Sequence, residues 1–235
     1  MPRLILFPVP IGAPDMDASL PRHNMQLLNG CRTFIVEEVR SARRFLKSAG
    51  FPHPIDSLTF HILNEHTAPE QITHFLDDIE QGYDVGLLSE AGLPCIADPG
   101  ALVTRMAQQR GFEVVPLVGP SSLMLALMAS GLNGQQFAFH GYLPVKPQQR
   151  AATIRLLEAN ALKYNQTQIF IEAPYRNDQM LQTLATTCRA DTLICVASDL
   201  TLASQYIRTL PAKAWQQQLH TVSLHKRNTV FLIGQ

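Results

Sequence analysis

The segment Leu87-Leu88-Ser89-Glu90-Ala91-Gly92-Leu93-Pro94-Cys95-Ile96-Ala97-Asp98-Pro99-Gly100 decides how the rest of the chain is read. It leaves the continuous apolar run at residues 85–88, the pattern of a fully buried strand, and passes into small residues punctuated by proline and glycine. Ligands of open α/β sheets bind outside the carboxyl ends of the strands, and small residues at Ser89, Ala91, Gly92 and Ala97 leave backbone amides within a ligand's reach. Glu90 and Asp98 add acceptors for hydroxyls or an ammonium group. The same residues also suit a tight connecting loop, because Gly/Pro punctuation is common in both.

Outward from this segment, apolar strand-like runs at 4–9, 33–36 and 114–118 alternate with helical patterns at 41–49, 69–81 and 101–109. Repeated strand–helix–strand units predict a helix-covered, mostly parallel sheet. Residues 117–120 end a strand in Val-Gly-Pro, Ser121-Ser122 reads as the start of a helix at 123–130, and Gly131 stops it. Strands are then expected at 137–142, 168–172, 193–198 and 229–233, with helices at 150–160, 178–187 and 211–219. The fold class is α/β, with an N-terminal α/β domain at 1–118 and a C-terminal one at 119–235.

Composition limits the function. The 235 residues are 46% hydrophobic and 16% charged with a formal net charge of zero, which excludes a disordered tail and a wholesale polycation. The zero conceals a split: residues 1–118 carry 9 Lys/Arg and 14 Asp/Glu, residues 119–235 carry 10 and 5. A basic second half is the better surface for a phosphate-bearing partner. No run approaches the roughly 18 apolar residues that span a bilayer and no signal-peptide pattern opens the chain, so a cytoplasmic protein without membrane contact is expected. Cys31, Cys95, Cys188 and Cys195 lack C-x-x-C or His spacing, so reduced core cysteines and no metal are expected. The G-x-G-x-x-G, P-loop, G-x-S-x-G and H-E-x-x-H signatures are all absent.

Six short motifs then acquire meaning together. They are Pro10-Ile11-Gly12, Glu37-Glu38-Val39-Arg40, the 89–100 segment, Val118-Gly119-Pro120-Ser121-Ser122, Gly141-Tyr142-Leu143-Pro144 with Lys146, and Glu172-Ala173-Pro174-Tyr175-Arg176. In this order the chain resembles tetrapyrrole-methylase-fold proteins over nearly its whole length, and is most similar to their ribosomal RNA small subunit methyltransferase I branch. The resemblance implies two α/β domains with S-adenosyl-L-methionine folded between them, usually in a homodimer, and methyl transfer to a cytidine 2′-hydroxyl of ribosomal RNA. It implies that Val9, Pro10, Ser89, Glu90, Ala91, Gly92, Leu93, Ile96, Asp98 and Ser121 line the cofactor site. Arg40, Lys146, Arg150, Tyr175 and Arg176 would face substrate. The chain departs from the branch pattern in its first loop, 13–19, and at Glu38-Val39, Glu90, Leu93 and Tyr175. Those departures leave open methylation of a small molecule such as a tetrapyrrole, or a non-catalytic cofactor-binding paralogue.

A hydroxyl acceptor needs a carboxylate or histidine to take its proton, and Glu38, Glu65 and His66 are the candidates. Each has a plainer reading. Glu38 with Arg40 suits a helix-start ion pair, His66 a solvated loop, and Arg40, Arg43, Arg44 and Lys47 the solvated stripe of a helix.

Overall fold

The computed structural model describes residues 2–12 and 15–235, with no side chain described for Pro69. Ala13 and Pro14 of the first loop lie outside the described residues. The chain divides into two compact units, Met1–Ser121 and Ser122–Gln235.

The first unit contains β1 (Arg3–Phe7), α1 (Arg22–Leu28), β2 (Thr33–Val36), α2 (Val39–Ser48), β3 (Thr59–Ile62), α3 (Pro69–Ile72), α4 (Asp77–Glu80), β4 (Val85–Leu88), α5 (Ala101–Gln109) and β5 (Glu113–Pro116). The five strands form one parallel sheet in the order β3-β2-β4-β1-β5, as the α/β pattern predicts. Alternation along β1 builds two cores. Leu4 and Leu6 join Val85, Leu87, Val103 and Ala107 on one face, whereas Ile5 and Phe7 join Phe34, Leu28, Ala42 and Leu46 on the other. Both faces are therefore covered by helices, which is why β2 and β4 are apolar at nearly every position.

One expected helix is divided. Apolar residues Ile72, Phe75, Leu76 and Ile79 keep helical spacing and are all buried, yet 69–81 forms two short helices, α3 and α4. Between them the amides of His74, Phe75 and Asp77 donate to carbonyls three residues back, at 3.1, 3.1 and 3.2 Å. The Thr73 hydroxyl also takes the Glu70 carbonyl at 2.6 Å, a local bond that competes with a regular helix.

The second unit contains α6 (Ser122–Ser130), β6 (Phe137–Tyr142), α7 (Pro147–Tyr164), β7 (Thr167–Ile171), α8 (Asn177–Thr187), β8 (Leu193–Ser198), β9 (Tyr206–Pro211), α9 (Ala212–Gln218) and β10 (Thr229–Gly234). Its sheet is mixed, in the order β6-β7-β10-β8-β9: β6 and β7 are parallel and the remaining pairs antiparallel. Residues of α7, α8 and α9 pack with Phe170, Ile194, Val196, Phe231 and Ile233 around Trp215, whose indole N–H donates to the Ile194 carbonyl at 2.8 Å. Burying that ring without a partner for its N–H would be costly.

All four cysteines are unpaired thiols, with Cys31, Cys188 and Cys195 buried. Burial pushes the Cys31 and Cys188 thiols up to about 12, so they are inert at neutral pH. Among the described residues no helix is long and apolar enough to cross a membrane, and no group of three or more His, Cys, Asp or Glu side chains could hold a metal ion.

Candidate active site

Because the first sheet is parallel, the segments leaving all five strands emerge at one edge. Two devices fix the loop at 89–100 there. The Val9 amide donates to the Gly92 carbonyl at 2.9 Å and the Gly92 amide returns a bond to the Val9 carbonyl at 3.0 Å, tying the exit of β4 to the exit of β1. Asp98 then latches the loop onto itself, accepting from the Ser89 hydroxyl at 3.1 Å, the Gly100 amide at 3.0 Å and the Cys95 amide at 3.4 Å.

This loop is strained as well as fixed. Cys95 and Ala97 take φ values of 68° and 56°, conformations that cost about 1–3 kcal/mol each for a residue with a side chain. Gly92 takes φ 77°, where its missing side chain matters, and a Cβ there would lie 3.2 Å from Ile11 Cγ2. The small residues therefore serve a close approach of loops as well as access to amides.

The expected cofactor residues separate into two groups. Val9 and Gly92 are buried, and their backbone groups satisfy each other instead of facing a ligand. Ser89 and Asp98 hold the loop. Ala91 and Leu93 keep amides that meet no acceptor among the described residues, while Ile96 is 49% exposed in the same loop. Val118, past the end of β5, is 76% exposed. Pro10 and Ser121 are half-buried after β1 and before α6.

The carboxylates at this edge differ sharply. Glu38 is the N-cap of α2: its Oε1 and Oε2 accept from the Arg40 and Ser41 amides at 2.6 and 2.8 Å. Those amides, Arg40's first, hold its pKa below the ordinary carboxylate value. The plain reading of a helix-start pair is thus met through the backbone, with no Glu38–Arg40 side-chain bridge. Glu90 accepts from the Ser41 hydroxyl at 2.7 Å. Glu65 and His66 stand in solvent, 86% and 83% exposed and 3.5 Å apart, in a turn where Asn64 Oδ1 accepts the His66 amide.

Glu37 belongs to the Glu37-Glu38-Val39-Arg40 motif but is not among the proton acceptors that the sequence suggests. It is exposed at the surface, yet local loss of hydration raises its pKa, and the negative charges of Asp98, Glu90 and Glu65 raise it further. Its signal in the sequence is position: it is the first residue after the last buried residue of β2, at the edge where a parallel sheet keeps its chemistry.

In the second unit the exits of the parallel strands β6 and β7 also share an edge. Lys146 and Tyr175 are exposed there. Arg176 is held by Glu172, its Nε and Nη2 lying 2.9 and 2.5 Å from Oε1, which raises its pKa. Arg150, expected to face substrate, is instead 2% exposed. Its Nη1 lies 3.5 Å from the Val145 carbonyl and its Nε has no partner among the described residues. Position 150 falls on the inward side of α7 together with Ile154, Leu157 and Ala161, and helical spacing carries the arginine into the core.

A parallel sheet with a hydrogen-bonded small-residue loop at its carboxyl edge, followed in the chain by a mixed-sheet unit, defines a class of two-unit α/β protein. Residues 4–214 match the family described as tetrapyrrole (corrin/porphyrin) methylases, and the chain belongs to that family. It is 31% identical over 208 residues to the ribosomal RNA small subunit methyltransferase I of Pseudomonas aeruginosa, covering 88% of this chain and 70% of that protein. The proteins of that name from Xylella fastidiosa and Vibrio cholerae are 37% and 31% identical, covering 70% and 89% of this chain but 57% and 69% of their own lengths. The crystal structure of the methyltransferase CobJ shares the fold, with a TM-score of 0.64 at 18% identity, covering 100% of this chain and 94% of that one.

Proposed function

We propose that the protein is a cytoplasmic S-adenosylmethionine-dependent methyltransferase acting on a ribose 2′-hydroxyl of small-subunit ribosomal RNA. The observation that carries the reading is the loop at 89–100: its inner side is latched by Asp98 and bridged to Val9, while the Ala91 and Leu93 amides and the Ile96 side chain remain available on its outer side. The names of the relatives support the RNA acceptor. The family resemblance supports a homodimer, which sedimentation would read as twice the 26.1 kDa of one chain.

The residues fit the donor's chemistry. The Ala91 and Leu93 amides would hold its carboxylate, Ile96 and Val118 would cover its purine, and the carboxylates of Glu37, Glu90 and Asp98 favour its positive charge. When bound, S-adenosylmethionine supplies an electrophilic methyl group on a sulfonium. The chain's own task is alignment, which can contribute about 7–11 kcal/mol when the acceptor is held in line. A rigid loop suits that task because its geometry does not need to be assembled at each turnover.

The remaining task is the proton of the acceptor hydroxyl. Glu38 is a poor base, since two amides already bind its oxygens and its pKa is lowered. Glu37 is the better acceptor: it directly follows β2 at the sheet's carboxyl edge, and its pKa is raised by lost hydration and like charges. The test is incubation with methyl-labelled S-adenosylmethionine and small-subunit ribosomal RNA, followed by nuclease digestion. Labelled 2′-O-methylated nucleoside is expected, and RNA that stays unlabelled while an added small-molecule pool takes up label would overturn the RNA assignment.

For the location of the donor, Ala91→Trp, at an exposed position of the same loop, is expected to weaken binding of S-adenosylmethionine at least about tenfold in calorimetry, about 1.4 kcal/mol. Unaltered affinity in a folded variant would refute the placement.

A further inference from the structure

Helix α2, Val-Arg-Ser-Ala-Arg-Arg-Phe-Leu-Lys-Ser, concentrates four of the nine cations of residues 1–118 in ten residues that contain no acid. Ala42 and Leu46 turn into the core, so Arg40, Arg43, Arg44 and Lys47 are exposed on the remaining surface. With Val39, Ile55 and two carboxylates, Glu38 and Asp56, they line an open groove of about 610 Å³, in which four cations outnumber two acids. Arg43 is anchored: its Nη1 lies 3.1 Å from Asp56 Oδ1 and its guanidinium stands 5.8 Å over the Phe60 ring. Arg40, Arg44 and Lys47 form no ion pair within 4 Å among the described residues, although Arg44 acts on Glu38 at longer range.

Positions 40, 44 and 47 follow helical spacing, forming one stripe about 10 Å long. An ordinary solvated helix face interleaves signs at i and i+4, and this one repels itself instead. The stripe begins beside the candidate active site, because the Glu38 cap and the Ser41–Glu90 bond join the start of α2 to the 89–100 loop. The apolar side of α2 is already buried, which leaves nothing to enter a bilayer.

We propose that the α2 groove binds the phosphodiester backbone of the RNA substrate, with Arg40, Arg44 and Lys47 as the phosphate contacts and Arg43 as a fixed wall. This rests on the RNA reading above and adds a binding surface in the unit whose net charge is negative. The groove tracks the backbone away from the acceptor nucleotide, so it supplies affinity without reading sequence.

The test is fluorescence anisotropy with a mixed-sequence single-stranded RNA across about 50 to about 200 mM potassium chloride. Replacing three phosphate contacts, in Arg40→Gln/Arg44→Gln/Lys47→Gln, is expected to flatten the slope of log K against log salt by about 2. The control removes equal charge from exposed sites of the second unit, Lys163→Gln/Arg189→Gln/Lys213→Gln, and is expected to flatten it by less than about 0.7. Circular dichroism and calorimetric affinity for S-adenosylmethionine verify that both variants remain folded and bind cofactor. An unchanged slope in the α2 variant, equal flattening in the control, or a wild type with no salt-sensitive RNA binding overturns the proposal. RNA methylation with an unchanged α2 slope sinks only the groove, whereas α2-dependent binding without methylation sinks only the enzymatic reading.

Discussion

Replacing Gly119 by alanine tests whether the site is built by close approach of strand exits. Gly119 follows β5, and a Cβ at this position would lie 2.2 Å from Pro8 Cβ and 2.5 Å from Pro8 Cγ. Neither side can give way cheaply. Pro8 is a rigid ring between β1 and the Val9–Gly92 bridge, while the loop of Gly119 is pinned by the Leu117 amide donating to Leu6 and the Asn24 amide donating to Val118, at 3.2 and 2.8 Å. Asn24 itself is 2% exposed. Overpacking of a fixed site costs about 1–3 kcal/mol, and for a chain of this length each kcal/mol lowers Tm by roughly 2–4 °C. The first unit should therefore unfold roughly 2–12 °C lower in Gly119→Ala. Far-UV circular dichroism reads the loss, and fluorescence of Trp215, the single tryptophan, reports the second unit in parallel. Gly134→Ala is the control, since nothing lies within 4 Å of its added Cβ, and it should shift stability by less than about 1 kcal/mol. A Gly119→Ala variant indistinguishable from this control would refute the steric argument.

Neighbouring carboxylates should show opposite pH dependence. Glu38 has a lowered folded pKa, so its stabilisation is present above the unfolded carboxylate value and fades as pH falls through the folded one; Glu38→Ala should lower Tm at pH 7 and lose that effect in acid. Glu37 has a raised folded pKa, so its ionised form opposes folding as pH rises through that value; Glu37→Gln should raise Tm at pH 7 but not in acid, as thermal scans at the two pH values would reveal. Arg150→Met removes a buried cation that has no carboxylate within 4 Å among the described residues. Urea titration should give unchanged or higher stability, by up to about 2 kcal/mol, and a loss of that size would mean that Arg150 has a stabilising partner.

Legibility in the sequence followed apolar contrast, since the edge strands β5 and β6 are only partly buried and are still marked by their apolar residues. β2 and β4 lie inside a sheet covered on both faces, so every residue of each is buried and the apolar run marks both ends. β3 and β9 are edge strands, and their burial alternates or remains partial; Thr-Phe-His-Ile and Tyr-Ile-Arg-Thr-Leu-Pro carry too little apolar contrast to stand out. α1 escaped notice for a different reason, as no side-chain cap announces it after Pro21. At the site, the 89–100 loop was visible from its composition, but the bond that closes it onto Val9 joins residues 83 apart in sequence. Arg150 and Glu37 exchange importance because exposure is a tertiary property: one is rotated inward by its helix, and the other sits where a strand stops.

The position of β10 governs the order in which the two units can be completed. In the first sheet the last strand made, β5, adds at an edge to a sheet that β1 to β4 have already formed. In the second, β10 is made last and occupies the middle, bonded to β7 on one side and β8 on the other. A nascent chain that has not yet released residues 229–234 therefore holds β7 and β8 apart, each with an unsatisfied edge open to wrong pairing. Synthesis from the N-terminus lets the first unit close early, while the second remains exposed to chaperones and proteases until its central strand arrives.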